Sequence, residues 1–172
     1  VVLHSAGALT LGSSSATGTL GLLASAGNIT GNSQMTVGSN ASFTANGTGA
    51  SITLDNASNS FGGTLAFAGT SLGNVSITDT TALDLQALTL GGNLQARASS
   101  LTDSGALLIG GTTSLQATGD VVLDHAGHLF TGDVSVAAVN ADLRAAGPLQ
   151  LGASTLSGNL ALSAAGAITQ SG

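Results

Sequence analysis

Leu143-Arg144-Ala145-Ala146-Gly147-Pro148-Leu149-Gln150-Leu151-Gly152 is one period of a repeat that the chain spells several times before reaching it. Its opening Leu-x-x-x-Gly piece occurs also as Leu3 to Gly7, Leu101 to Gly105 and Leu123 to Gly127, with Ile168 to Gly172 as a variant. An apolar-x-apolar-Gly unit follows at Leu9-Thr10-Leu11-Gly12 and Leu107-Leu108-Ile109-Gly110, and recurs as Met35-Thr36-Val37-Gly38 and Leu88-Thr89-Leu90-Gly91. A third marker, Gly and a polar residue ahead of an alternating segment, appears as Gly63-Thr64-Leu65, Gly92-Asn93-Leu94, Gly132-Asp133-Val134 and Gly158-Asn159-Leu160. Between Gly7 and Gly147 these markers divide the chain into periods averaging about 23 residues, individually roughly 19 to 29, the range of solenoid arrays.

Within a period the apolar residues alternate, as in Leu107-Leu108-Ile109, Thr113-Ser114-Leu115-Gln116-Ala117 and Val121-Val122-Leu123. A period of two is a strand signal, and no window carries the i, i+3, i+4, i+7 pattern of a helix. Turns are expected at Gly110-Gly111, Gly119-Asp120 and Ala126-Gly127, with Gly supplying positive φ. Three short strands and three turns make one coil of a parallel β-helix, and about seven coils stacked about 4.8 Å apart rise roughly 34 Å. Leu107, Ile109, Leu115, Ala117, Val121 and Leu123 are expected to point inward. With only Phe43, Phe61, Phe67 and Phe130 as aromatics, the bore is expected to be too slim for rings. The stretches Gly12 to Gly18 and Gly152 to Gly158 read as bulged corners, and coil boundaries are least defined from Asn46 to Ser60 and Thr78 to Ala87. The reading is one β-helix segment over residues 1–172, an internal slice of a longer array that meets neighbouring coils of the same chain at both ends.

Composition narrows the function. Eight Asp and no Glu stand against Arg97 and Arg144, a net charge of −6 that disfavours nucleic acid and anionic membrane as partners. Mean hydropathy is +0.44, yet Gly, Ser, Thr, Asn or Asp interrupts every apolar run before the roughly 18 residues of a spanning helix. Zero Cys excludes disulfides and thiolate metal sites.

The runs Leu88-Thr89-Leu90-Gly91-Gly92-Asn93-Leu94-Gln95-Ala96, Gly158-Asn159-Leu160-Ala161-Leu162-Ser163-Ala164-Ala165-Gly166-Ala167-Ile168-Thr169 and Ser71-Leu72-Gly73-Asn74-Val75-Ser76-Ile77-Thr78 resemble the filamentous haemagglutinin family. These are large bacterial exoproteins exported by two-partner secretion. The resemblance implies a right-handed parallel β-helix, a secreted or cell-surface location in a Gram-negative bacterium, an outer-membrane secretion partner and a shaft that carries adhesive, virulence-linked regions. The alternative is that the segment itself binds a host cell-surface glycan or receptor.

Candidate sites are few. Asp124-His125-Ala126-Gly127-His128 has the residue types of a metal or acid/base site, but the repeat puts Asp124 at a variable outward position and His128 where Ala8, Ala106 and Pro148 stand, so the cluster reads as surface decoration. The same alignment pairs Asp124 with Arg144 and Asp103 with His125 on adjacent coils, two surface ion pairs of about 0.2–1 kcal/mol each. Of Asp55, Asp79, Asp84, Asp103, Asp120, Asp124, Asp133 and Asp142, most lie within two residues of Gly or Asn and read as turn residues. Polysaccharide-cleaving chemistry, a remote alternative, lacks the clustered carboxylates and aromatics it needs. Gly-Gly-x-Gly-x-Asp calcium repeats and a regular Thr-x-Thr face are also missing. No catalytic, cofactor or metal residue is assigned. Asn28, Asn40, Asn46, Asn56 and Asn74 head Asn-x-Ser/Thr sequons, which read either as glycosylation acceptors or as the chance product of a chain so rich in these residues.

Overall fold

A computed structural model describes residues 1–172 as twenty-five strands and no helix. Every strand pairing is parallel, and two sheets run the length of the molecule. The first begins with Val2–Ser5, passes through Leu20–Ala24 and Ala41–Ala45, and ends with Leu160–Ala164; the second runs from Leu9–Leu11 to Ile168–Gln170. Successive strands of the first sheet are successive turns of a β-solenoid, about eight in all. Turn length varies: Ala41 pairs with Leu65, 24 residues on, whereas Ala82 pairs with Ser100, 18 residues on.

The fold is the one the periodicity implies, with one more turn than the seven expected. Gly-polar-aliphatic marks a corner, but not always the same corner. Leu65 and Leu160 open strands of the first sheet, while Leu94 and Val134 open strands of the second. Spacing measured between such markers therefore mixes whole turns with partial ones.

A third side is built differently in the two halves. Ser14–Ala16, Met35–Val37 and Ser60–Phe61 stack after the second-sheet strand of their turns, whereas Leu88–Leu90, Leu107–Ile109 and Leu129–Phe130 stack before it. The seven-residue strand Leu72–Thr78 joins the halves, and its register slips between Leu72, paired with Ala50, and Val75, paired with Ile52. That slip is a β-bulge, which adds a residue and re-aims the chain. The two stretches expected as bulged corners each contain a short strand: Ser14–Ala16 pairs with Met35–Val37, and Thr155–Leu156 pairs with Ala137–Ala138. Small, polar Ser14 and Ser15 hid the alternation there.

Alternation sends every second side chain into one continuous core of 40 buried residues. Leu107, Ile109, Leu115, Val121 and Leu123 are buried as expected, and Ala117 is half-buried at a corner. Burying each of the larger aliphatics contributes about 1.5–3 kcal/mol, so the core column dominates the stabilisation. All four phenylalanines are inside, contrary to the slim-bore expectation. Phe43 stacks on Phe67 at 5.8 Å and meets Phe61 edge-on at 6.0 Å. They fill the 24-residue turn and the start of the one above it, where the longer circumference widens the bore. At the two ends the inward phase is open: Leu3 is 38% exposed, Leu160 40% and Ile168 47%.

Glycine at the corners answers a packing demand. Only Gly27, Gly47 and Gly49 have positive φ, so the corner glycines Gly110, Gly111 and Gly119 are not there for left-handed backbone. A Cβ on Gly111 would sit 2.7 Å from the carbonyl carbon of Gly92 on the preceding turn, and one on Gly110 2.8 Å from the Gly91 oxygen. Gly111→Ala is therefore expected to lower stability by about 1–3 kcal/mol. Gly18→Ala, where nothing lies within 4 Å of the new methyl, should be neutral or stabilising by up to about 1 kcal/mol. Urea midpoints of the two variants test the difference; equal midpoints would show that close stacking does not select Gly111.

Candidate functional site

The strand Ser100–Asp103 alternates like its neighbours, so Asp103 falls in the same inward phase as Leu101 and pairs in register with Leu85 of the turn before. A carboxylate thus occupies a column that carries Leu20, Ala41, Leu65 and Leu85 on the turns before, with its side chain 2% exposed. Burying a charge this way is costly without compensation, and compensation comes from the next turn. The backbone N–H of Asp124 donates to Asp103 Oδ1 at 2.9 Å, and His128 Nε2 lies 3.4 Å from Oδ2.

His128 is fully buried, which corrects the reading of it as surface decoration. Its Nδ1 accepts the Leu107 N–H at 2.9 Å, so the neutral ring carries its proton on Nε2, facing Asp103. The ring lies 5.6 Å from those of His125 and Phe130. Repeat alignment could not see this, because Asp124 to Gly127 form a loop that lengthens the turn and carries His128 inward. Asp103 accordingly contacts His128, not His125. His125 stays exposed and accepts the Gly127 N–H at 3.0 Å, while exposed Asp124 and Arg144 form no ion pair.

Side-chain acceptors for backbone N–H groups recur at other places in the stack. Fully buried Asn59, in the 24-residue turn, accepts the Met35 N–H through Oδ1 and donates through Nδ2 to the Leu54 carbonyl, both at 2.9 Å. Buried Asp79 receives the Phe61 N–H at 3.2 Å, the Thr81 N–H at 3.0 Å and the Thr81 hydroxyl at 2.9 Å. The Ser154 hydroxyl receives the Val136 N–H at 3.0 Å. In each case a side chain supplies the acceptor that a stacked carbonyl provides elsewhere. Asp79 and Asp103 are therefore core groups, not the surface turn residues expected.

Exposed corners carry ladders instead. Asn93 N–H donates to Asn74 Oδ1 and Thr112 N–H to Asn93 Oδ1, both at 2.8 Å; Asn140 does the same between Asp120 and Asn159. Sequon residues Asn28, Asn40 and Asn46 accept from Ser51, Thr64 and Thr70 one turn on, and Asn56 caps its own turn through the Ser58 N–H. Stacking thus accounts for Asn at these positions. Asp84 lies in a strand and receives the Ser104 hydroxyl at 2.6 Å, and Asp133 receives that of Ser171 at the same distance. No three His, Asp or Glu side chains converge as metal ligands.

Burial holds the His128 imidazole below its ordinary value; the neighbouring Asp103 opposes that shift without cancelling it. Both ring nitrogens face protein, so the arrangement is a polar joint between turns. No open face is left for a substrate.

Parallel turns, inward aliphatics, corner ladders and polar joints of this kind define a β-solenoid repeat protein. The chain belongs to the family described as "Repeats of unknown function (DUF5649)", whose model matches residues 1–68, 72–137 and 138–172. The first break, at residues 69–71, directly precedes the bulged strand. No curated protein and no solved structure matches the chain.

With its pKa depressed in the fold, His128 binds fewer protons folded than unfolded. Its contribution to stability is present above the ordinary imidazole value of 6.5 and is lost as pH falls below it towards the folded-state value. Protonating Nδ1 would also turn the acceptor of the Leu107 N–H into a donor. Urea titrations across this window should show falling stability for the native chain. His128→Asn, which keeps an acceptor as Asn59 does, should flatten that component, and His128→Leu should cost about 3 kcal/mol at neutral pH. A native-like pH slope in His128→Asn would remove His128 as its source.

Proposed function

We propose that this chain is a non-catalytic shaft segment of a secreted bacterial adhesin, a stiff spacer that projects adhesive regions from the surface of a Gram-negative cell. The observation that carries the reading is the continuous axial stack: parallel strands bonded turn to turn around a single, largely aliphatic core. Such a stack is mechanically a rod. Its length is set by the number of turns, and its stability is a sum over neighbouring turns. The resemblance to filamentous haemagglutinins supports the exported, surface-displayed setting and an outer-membrane transporter as the export partner. A Cys-free chain with few charges suits passage through such a pore unfolded, with each emerging turn pairing on the one before. No helix is long and apolar enough to cross a membrane.

A spacer tolerates the loss of whole turns. Leu20, Ala41 and Leu65 stand in register on successive turns, so deleting residues 20–64 removes two turns and rejoins the chain at an equivalent point. In the full exoprotein the deletion should preserve export and cell adhesion. In the purified segment it should shorten the maximum dimension measured by small-angle scattering by about 10 Å. Normal display with adhesion abolished would overturn the spacer reading.

A further inference from the structure

On the second sheet, side chains in register form columns parallel to the solenoid axis. At the corner that ends its strands, three successive inward positions are alanine: Ala98, Ala117 and Ala138. Alanine occupies inward positions elsewhere in the core too, but here three in a row stand at a corner open to solvent and leave a groove of about 410 Å³. Arg97, Gln116, Ala137 and Thr155 run along one wall in a single register column, and Val139, 39% exposed, stands on the other.

The charge here differs from that of the rest of the surface. The chain has net charge −6, yet none of its eight Asp lines the groove. Arg97, one of two cations, is exposed and makes neither an ion pair nor a side-chain hydrogen bond within the protein. A free guanidinium beside uncharged amide and hydroxyl groups, over a methyl floor, suits a ligand bearing a carboxylate, which arginine can hold with two parallel hydrogen bonds.

Spacing selects the class of ligand. Polar groups stand on the first, second and fourth rungs of the wall, at multiples of the rung spacing of about 4.8 Å, whereas an extended peptide presents same-face side chains about 6.7 Å apart. A β-linked sugar chain advances by about one rung per ring and carries hydroxyls at each step. We propose that this groove binds a linear, carboxylate-bearing saccharide along the solenoid axis, with Arg97 on the carboxylate and Gln116 and Thr155 on ring hydroxyls. The site does not depend on the spacer reading, since residues 20–64 lie outside it.

The test is calorimetric titration of the purified chain with a hyaluronan tetrasaccharide at low salt, with a neutral chitin tetrasaccharide and an acidic tetrapeptide as comparators. Saturable binding of the uronate saccharide is expected, with both comparators weaker. Arg97→Gln should weaken it by about tenfold or more. Gln116→Glu, which puts a carboxylate in register with Arg97, should weaken it at least as far. Arg144→Gln, on the other sheet, should leave it unchanged, and circular dichroism should show all three variants folded. No saturation at millimolar ligand, equal binding of the neutral sugar, preference for the peptide, or equal effects of Arg97→Gln and Arg144→Gln would each overturn the proposal.

Discussion

Turn-to-turn backbone hydrogen bonding at one fixed spacing is the constraint from which the rest of this structure follows. Each turn must offer its N–H and C=O groups to the turns on either side, and almost no backbone polar group can be left buried without a partner. Equal turns would satisfy this automatically. These turns are not equal, running from 17 to 24 residues, so a carbonyl does not always lie beneath the N–H that needs it. Asn59, Asp79, Ser154 and His128 repair those positions with side-chain acceptors. The Leu72–Thr78 bulge absorbs the change in the order of the third side.

The repair carries a second consequence. Polar groups enter an otherwise aliphatic column, and their desolvation is offset only while every partner is in place. Asp103 is compensated by the Asp124 N–H and the His128 ring only when adjacent turns are docked in one register. A slip by two residues, which keeps the in-out alternation, would part Asp103 from the Asp124 N–H and the His128 ring. Aliphatic side chains alone would tolerate several registers, since Leu, Val, Ile and Ala substitute for one another along the column. The polar joints make one register preferable to the others. The same fixed spacing acts at the corners, where Gly110 and Gly111 lie so close to the preceding turn that any side chain would collide with its backbone.

Spacing is also what a rod of this kind can use. Outward side chains recur on each rung, so a surface column displays groups at regular intervals along the axis, and a corner column of alanines becomes a groove. A spacer and a binding face are therefore compatible on the same turns, one drawing on the inward phase and the other on the outward.

Period-two alternation and recurring Gly-polar-aliphatic corners made the parallel β-solenoid legible in the sequence, as well as most of the core, because the alternation of side chains along a strand is a local property. Asp103 was readable in that way, sharing its phase with Leu101. The burial of His128 was not, nor was its choice of Asp103, nor the free position of Arg97 beside Gln116. Those depend on which residue of one turn lies over which residue of the next, and that is decided by the length of the loop between them. The local sequence determined which side chains face in; only stacking in three dimensions decided which of them meet, because register is a sum over whole turns and a single extra residue in one turn shifts every partner above it.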